Sequence, residues 1–503
     1  MANSSDNKLS LWSLTALVVG SMIGAGIFSL PATFGRATGG FGALIAWAIA
    51  GGGMLMLAFV FQILAERKPE LDSGVFIYAK EGFGNYLGFA AALGFWAGTC
   101  IGNVSYFVLI KSTLGAFFPI FGDGNTIPAV VVASAILWGF HYLLLKGVKG
   151  AASINTIATF AKIIPIVCFI IVLIVAFKRD LFALNFWGAP DMGKLGDLSH
   201  LNEYGYAGHA AQAVAPAAEP ESLFAQVRST MLVTVFVFLG IEGASVYSRY
   251  ATKRSHIGIA TVLGFVGVLC LLMLVTMLSY GVMLRPDLAA LRQPSMAGVM
   301  AAVVGRWGAL FISLGLIISV LGAYLSWSLL AAEVLYAAAK SQSVPQVFAT
   351  ENQHAVPSAA VWLTNGTIQV FLILTLFSRY AFQLAIELTS SLTLIPYLLV
   401  AAYGFKLAWT GESYDSTDWR GHKKDLIFAA IATFYALLML YAGGLKYLLL
   451  SAVIYGPGTV LYIWAKREQK TQIFNGFEKI LFIIILIAAI AAIWSIAAGV
   501  ISI

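Results

Sequence analysis

Residues 20–28 read Gly20-Ser21-Met22-Ile23-Gly24-Ala25-Gly26-Ile27-Phe28 and lie in the middle of the first apolar segment of the chain. Each glycine in a helix interior costs roughly 1 kcal/mol relative to alanine, so three glycines within seven residues predict a break in the helix. Backbone groups freed at mid-membrane are tolerated only where they line a polar cavity. The stretch therefore predicts a discontinuous membrane helix that opens onto a binding site, which is typical of a transporter.

The composition indicates an integral membrane protein. The 503 residues are 60% hydrophobic and only 11% charged, whereas soluble domains carry about 25% charged residues. The three cysteines lie in apolar segments, and neither they nor the six scattered histidines have metal-ligand spacing, so we expect no metal and no cofactor. The net charge of +7 is interpreted as a record of membrane orientation, without a nucleic-acid partner.

Thirteen apolar runs are long enough to span a bilayer, which takes about 17–25 residues. They cover residues 12–34, 41–65, 84–112, 127–145, 152–177, 224–249, 257–284, 307–339, 358–378, 381–407, 425–442, 445–465 and 475–500. The eleventh and twelfth runs are separated only by Gly443 and Gly444, so twelve spans is the alternative count.

The distribution of basic residues predicts the orientation. With the amino terminus in the cytoplasm, 18 of the 30 Lys and Arg residues fall inside and 10 outside, and the remaining two, Lys111 and Lys162, lie within spans. Because cytoplasmic loops carry an excess of Lys and Arg, this bias predicts a cytoplasmic amino terminus in the cytoplasmic (inner) membrane.

A second glycine interruption, Gly240-Ile241-Glu242-Gly243, falls in the sixth run. The first break opens five spans at 12–177 and the second opens five spans at 224–407. An odd number of spans per unit makes the second unit enter from the opposite side, and paired interruptions mark a midplane site. The alternative is that the glycines only permit close helix packing.

The predicted fold is therefore an all-α integral membrane protein with a five-plus-five inverted repeat whose helices 1 and 6 are discontinuous. We expect an amino-terminal tail at 1–11, an extracytoplasmic loop at 178–223 and additional membrane helices at 408–503.

The helix ends at the two breaks indicate the ligand. Amides at the positive end of a half-helix suit a carboxylate, and here they belong to Met22, Ile23, Gly24 and Ala25. Carbonyls freed in the second break suit an ammonium group, and these lie around Phe236, Leu239 and Gly240. Together the two sets predict a receptor for an α-amino-acid zwitterion.

Three motifs resemble those of the amino acid–polyamine–organocation (APC) superfamily: residues 20–28 with Leu30-Pro31, residues 241–246, and residues 73–79. Within it, the chain is most similar to the basic amino acid antiporters, and among these to the arginine/ornithine exchangers. The resemblance implies the LeuT-like fold and exchange by alternating access. Because related exchangers are often dimers, it also allows a homodimer.

The resemblance implies further substrate-site residues. Asn103 stands where related arginine/agmatine exchangers have a substrate-contacting Asn, and Trp327 matches their eighth-helix Trp. Phe236 aligns with a gate Trp, so an aromatic lid remains without the indole N–H. The expected binding residues are Ser21, Met22, Ile23, Gly24, Ala25, Gly26, Asn103, Tyr106, Phe236, Leu239, Gly240, Trp327 and, at the polar position of the tenth helix, Ser390 or Ser391.

Ionisable residues within spans are costly, so each calls for a role. Lys162 stands, by resemblance, where sodium-coupled relatives bind the ion; we expect it to titrate during the cycle or to tether helices, and both interpretations argue against sodium dependence. Glu242 could accept a proton, anchor the broken helix or sense substrate charge, and Glu333 is a gate carboxylate or a vestibule residue. Lys111 is expected to reach outward to the interface, and His141 to be a packing residue.

The preferred interpretation is a secondary active antiporter that exchanges a basic amino acid such as arginine for a related amine or amino acid such as ornithine. Aromatic faces attract a desolvated cation by roughly 1–2 kcal/mol, although a neutral amino acid would also fit an aromatic box. The alternatives are a proton-coupled amino acid permease and an exchanger of a non-basic amino acid. A channel needs a carbonyl filter or a charge ring, and an enzyme needs a nucleophile–base pair or metal cluster; the sequence has neither.

Overall fold

The computed structural model describes residues 10–71, 75–147, 151–187, 222–241, 255–378, 380–414 and 419–501, and this part of the chain is built from helices. In chain order they are α1 (Leu11–Met22), α2 (Leu30–Ala37), α3 (Gly40–Arg67), α4 (Val75–Phe83), α5 (Asn85–Phe117), α6 (Ile127–Leu145), α7 (Ala151–Ala176), α8 (Arg179–Phe186), α9 (Leu223–Phe238), α10 (Ser255–Ser279), α11 (Arg285–Ala290), α12 (Ser295–Val304), α13 (Arg306–Lys340), α14 (Ser358–Leu374), α15 (Ala381–Thr410), α16 (Trp419–Glu468) and α17 (Gly476–Ala497).

Nine helices in the described ranges are long and apolar enough to cross a membrane, and the bent pair Leu14–Met22 with Gly26–Ala37 makes a tenth. The expected membrane class is thereby confirmed. The apolar parts of α7 and α9 are shorter, and α16 counts once although Gly444, at φ 74° and ψ 175°, interrupts it. That interruption lies where the glycine pair predicts a boundary. The total of thirteen spans stays a prediction.

The first membrane helix is broken where its glycines predict. α1 ends at Met22, residues 23–25 are not helical, and a short 3-10 turn, Gly26–Ser29, leads into α2. The two halves meet at 43°. In the second region α9 ends at Phe238 and Gly240 takes a φ of +100°. The chain from 242 to 254, which includes Glu242, lies outside the described residues.

The helix α5 forms the centre of the bundle. Its membrane-crossing window is buried throughout, and it packs against α13 and α15. At the periphery, α17 is the most apolar of the spans, yet only 11% of its window is buried. A helix that is apolar all round and exposed at the edge of a membrane protein faces lipid. Any site at the centre must therefore be built around α5.

The segment expected to be an outer loop at 178–223 begins with a helix, α8, which the sequence reading missed. Asn185 at its end fixes it: Nδ2 donates to the carbonyls of Tyr280 (2.7 Å) and Met283 (2.9 Å), and Oδ1 accepts from the Arg285 amide (2.8 Å). Eight residues are too few to show a helical hydrophobic period, and this helix is stabilised by tertiary hydrogen bonds that cannot be seen in the sequence. Residues 188–221 lie outside the described part of the chain.

Ion pairs connect helix ends on the side predicted to be cytoplasmic. Arg67, at the end of α3, lies 3.4 Å from Asp425 near the start of α16. The neighbouring Lys68 pairs with Glu412, just beyond α15, and this hydrogen bond raises the pKa of the lysine. Because the Lys68–Glu412 pair is solvent-exposed, it adds little to stability; both pairs fix where these three helices end relative to each other.

Candidate functional site

A cavity lies beside the two helix breaks and is completed by α5, α10, α13 and α15. Its lining residues are Ser21, Met22, Ile23, Gly24, Gly26, Ile27, Thr99, Gly102, Asn103, Tyr106, Phe236, Val237, Leu239, Leu272, Trp327, Thr389 and Thr393. Ten of the fourteen residues expected to bind substrate are thus brought together. The other four, Ala25, Gly240, Ser390 and Ser391, do not line it.

The two breaks contact each other directly. The Ser21 hydroxyl donates to the Gly240 carbonyl at 2.9 Å. A Cβ atom on Gly240 would lie 2.7 Å from the Ser21 carbonyl oxygen, and one on Gly26 would lie 2.5 Å from Cγ1 of Val237. Both glycines therefore permit close packing of the two breaks, and Gly26 also lines the cavity. Close packing and a binding site are therefore compatible interpretations of these glycines, and the binding site stays a prediction.

The backbone donors at the first break are fewer than the sequence predicts. The Ile23 amide still bonds to the Val19 carbonyl at 3.0 Å, within the last turn of α1. In the described part of the chain, the amides of Gly24 and Ala25 donate to no backbone carbonyl. They directly precede the helical turn that begins at Gly26, where the positive end of the helix dipole lies. This end of the cavity suits an anionic group.

The second break offers acceptors. The Phe236 carbonyl accepts one hydrogen bond, from the Leu239 amide at 3.3 Å, and the Gly240 carbonyl accepts one from Ser21. A carbonyl oxygen has two lone pairs, so the Phe236 carbonyl, at the cavity, can take a second donor. An ammonium group is such a donor.

Three aromatic side chains, Tyr106, Phe236 and Trp327, line the cavity as the motif register predicts. The Tyr106 hydroxyl lies 3.1 Å from where a Cβ on Gly24 would stand, and the Phe236 ring lies within 4.0 Å of the equivalent positions on Gly26 and Gly102. The rings therefore narrow the space beside the first break. Their π faces can hold a cation.

Two buried oxygen atoms in the lining have no hydrogen-bond partner among the described residues: Asn103 Oδ1 and Thr389 Oγ1. The Asn103 Nδ2 group is engaged, since it donates to Ser328 Oγ at 3.3 Å. An unpaired buried acceptor costs roughly 1–3 kcal/mol, so both atoms are poised for a donor from a ligand. None of the described lining residues carries a carboxylate.

The polar position expected in the tenth helix is displaced in the structure. Ser390 donates to the Leu232 and Ile386 carbonyls at 2.6 and 2.9 Å, and Ser391 accepts from Ser451 at 3.1 Å. The residues of α15 that line the cavity are instead Thr389 and Thr393. Residues 389–393 carry four hydroxyls in five positions, so the sequence alone could not identify the inward face. Of the remaining residues that the sequence did not indicate, Thr99 lies four residues and Gly102 one residue before Asn103 on α5.

The predicted coupling residues are separated. Lys162 on α7 is buried, and its Nζ donates to the Gly20 carbonyl at 2.8 Å, two residues before α1 ends. Glu333 is exposed on α13 and does not line the cavity. Lys111 corrects an expectation: it does not reach outward but is buried, with Nζ 2.7 Å from Thr375 Oγ1. Thr375, directly after α14, therefore gives the Lys111 ammonium group a buried hydrogen-bond partner that the sequence does not indicate.

Comparison with known proteins gives a consistent result. Residues 9–446 match the family described as amino acid permease. The chain is 50% identical to an arginine/ornithine antiporter of Pseudomonas aeruginosa, an alignment that covers 98% of each. It is 38% identical to an L-lysine transport protein of Corynebacterium glutamicum, over 98% of this chain and 96% of the relative. An arginine/agmatine antiporter of Chlamydia caviae is 36% identical over 97% of both.

Proposed function

Because this chain belongs to the amino acid permease family, we propose that it is an amino acid antiporter that exchanges arginine for ornithine across the cytoplasmic membrane. The names of the three relatives each contain a basic amino acid, and the arginine/ornithine antiporter of Pseudomonas aeruginosa is 50% identical over nearly the whole chain. Identity at that level over full length supports the same substrate class.

The observation that carries the proposal is the composition of the cavity. The Gly24 amide, which donates to no backbone carbonyl in the described part of the chain, suits a carboxylate, and the Phe236 carbonyl in the second break suits an α-ammonium group. Asn103 Oδ1 and Thr389 Oγ1 offer neutral acceptors for a cationic side chain. A cation held by aromatic faces and neutral oxygens can be released more easily than one held by a buried carboxylate. Exchange requires such release on both sides of the membrane.

The proposed architecture is the LeuT-like inverted repeat, with units at 12–177 and 224–407 and additional helices at 408–503. Alternating access would rock one unit against the other around the cavity. Lys162 would hold the end of α1 in place of a sodium ion, as its bond to Gly20 suggests. The amino terminus is proposed to be cytoplasmic and the assembly a homodimer.

Uptake of radiolabelled L-arginine into proteoliposomes without sodium tests the proposal. We expect uptake into vesicles preloaded with ornithine and little into empty ones. Equal uptake into empty vesicles that rises with an inward proton gradient would instead identify a proton-coupled permease. No arginine uptake in either case would overturn the basic-substrate assignment.

A further inference from the structure

Three exposed basic side chains lie at the turn between α16 and α17: Arg467, Lys470 and Lys479, which we call the turn cations. Arg467 is in the last turn of α16, and its carbonyl accepts from the Lys470 amide at 3.1 Å. Lys479 is in the first turn of α17, where its amide donates to the Asn475 carbonyl at 3.0 Å. Within the described part of the chain, none of the three side chains forms a hydrogen bond or an ion pair.

The two carboxylates of the same turn are engaged elsewhere. Glu478 accepts from the backbone amides of Asn475 at 2.9 Å and of Tyr86 at 3.1 Å. Glu468 accepts from the Gln346 amide at 3.0 Å. Neither carboxylate forms an ion pair with a turn cation in the described residues. The three basic groups are therefore available to an anion from outside the chain.

Other basic side chains on the side predicted to be cytoplasmic have partners within the protein. Lys68 forms an ion pair, Lys80 Nζ donates to the Ser341 carbonyl at 2.7 Å, and Lys406 Nζ donates to the Gly82 carbonyl at 2.9 Å. These bonds use the charge of each lysine to join helix ends. The turn cations serve no such contact among the described residues, which leaves a ligand as their use.

Both helices carry exposed apolar residues that lead away from the turn cations into the membrane. They recur at intervals of three or four residues, the spacing of one helix face: Val460, Trp464 and then Arg467 on α16, and Lys479 followed by Ile483 and Leu486 on α17. The two helices contact each other, since a Cβ on Gly456 would lie 3.3 Å from Cβ of Ala489. Each lipid-facing row therefore ends in a cation at the turn. A phospholipid has the same order, with apolar chains followed by a phosphate.

We infer that the turn between α16 and α17 binds an anionic phospholipid, with its phosphate held by the turn cations and its acyl chains along the exposed apolar rows of the two helices. Basic residues at the end of a membrane helix attract anionic headgroups, and the Arg467 guanidinium can bind a phosphate group through two parallel hydrogen bonds. A free phosphate ester would use the cations alone and leave the apolar rows without a role. The lipid uses both.

The same turn is hydrogen-bonded to two helices that line the cavity. Glu478 accepts from the amide of Tyr86 at the start of α5, and Gln469 donates to the carbonyl of Gln342 just beyond α13 at 2.7 Å. A ligand that binds the folded turn stabilises the folded protein by mass action. Occupation of the site should therefore raise the temperature at which the protein unfolds.

The test measures lipid binding to the purified protein in detergent by native mass spectrometry, and thermal unfolding with the same probes. The probes are dioleoylphosphatidylglycerol, the zwitterionic dioleoylphosphatidylcholine, and glycerol phosphate, an anionic headgroup without acyl chains. The site variant is Lys470→Gln/Lys479→Gln. The matched control is Lys146→Gln/Lys424→Gln, which removes the same charge from two exposed lysines elsewhere on the side predicted to be cytoplasmic.

We expect the first phosphatidylglycerol to bind the site variant roughly thirtyfold more weakly than the wild type, because each basic residue near an anionic headgroup contributes about a factor of five. Arg467→Gln alone should weaken binding about fivefold. The control should bind phosphatidylglycerol as the wild type does. Phosphatidylglycerol should raise the unfolding temperature of the wild type and the control more than that of the site variant.

The inference is overturned if phosphatidylcholine binds the wild type as tightly as phosphatidylglycerol, if the site variant keeps wild-type affinity, or if the control loses affinity equally. Binding of glycerol phosphate as tight as that of the lipid would assign the turn cations to a soluble phosphate ester and would also overturn it. None of these measurements involves amino acid transport, so the inference is tested separately from the proposed function.

Discussion

Single side chains decide which groups of the cavity can bind a ligand. The sequence and the family resemblance predicted that Asn103, Tyr106, Phe236 and Trp327 lie at one cavity, and all four line it, because each lies in a motif with a fixed register. For α15 the prediction was Ser390 or Ser391, whereas Thr389 lines the cavity. The three residues are adjacent in the sequence and differ in the helix face that they occupy. The direction of a side chain within a polar run is set by neighbouring helices, which a sequence does not display.

Replacement of Thr389 by Val should raise the KM for arginine roughly tenfold, since Oγ1 is an unpaired acceptor in the cavity and a bond to a charged donor contributes about 1.5–3 kcal/mol. Ser390→Ala is the matched control, because the Ser390 hydroxyl is hydrogen-bonded to the Leu232 and Ile386 carbonyls and does not line the cavity. That variant should lose about 1 kcal/mol of stability without a change in KM. Steady-state exchange kinetics measure both KM values. A raised KM in Ser390→Ala together with an unchanged KM in Thr389→Val would contradict the placement of the cavity.

Replacement of Lys162 by Met should reduce exchange at least roughly tenfold, because the hydrogen bond from Nζ to Gly20 holds the end of α1 beside the cavity. Lys111→Met is the control, since that lysine is equally buried but bonds to Thr375, away from the breaks. Initial exchange rates of the two variants at equal protein density would separate the roles. Similar losses in both would mean that any buried lysine matters only for folding.

At the scale of elements, the sequence predicted the position of the break in the first helix. It predicted less well which backbone amides at that break are left without a hydrogen bond. Three glycines in seven residues suffice to locate the break, since helix propensity is local. In the structure Met22 belongs to α1 and the Ile23 amide bonds to the Val19 carbonyl, so the open donors begin at Gly24, two residues later than predicted. Tertiary contacts decide such details, as the Ser21–Gly240 bond illustrates. The short helix α8 was missed for the same reason: its stability comes from Asn185 and not from its own pattern.

Replacement of Gly240 by Ala should destabilise the junction of the two breaks and abolish most exchange. Its φ of +100° costs a residue with Cβ about 1–2 kcal/mol, and the added atom would lie 2.7 Å from the Ser21 carbonyl oxygen. Gly366→Ala, within α14 and with nothing within 4 Å of the added Cβ, should instead gain up to about 1 kcal/mol. Thermal unfolding in detergent and exchange rates measure both. Wild-type behaviour of Gly240→Ala would contradict the close approach of the breaks.

For the whole molecule, composition alone predicted the membrane class, because so few charges cannot surround a soluble protein of this size. The number of membrane crossings is harder to predict. The helix α16 is continuous except at Gly444, and the apolar parts of α7 and α9 are short in the described residues. The sidedness is a prediction from the excess of Lys and Arg in the loops assigned to the cytoplasm.

The sidedness can be measured with single cysteines in a background that lacks Cys100, Cys168 and Cys270. Asn125→Cys precedes α6 and Gln353→Cys precedes α14, and both native side chains are exposed. A membrane-impermeant maleimide applied to intact cells should label the first and spare the second until the membrane is opened. The reverse pattern would place the amino terminus outside.

The most direct test of antiport is to count both substrates in one experiment. Proteoliposomes are loaded with tritiated ornithine, diluted without sodium, and given external arginine carrying carbon-14. Antiport predicts that ornithine stays inside until arginine is added and then leaves one molecule for each arginine that enters, with Thr389→Val shifting the arginine concentration required. Release of ornithine without external arginine, or arginine entry unaccompanied by release, would contradict the account.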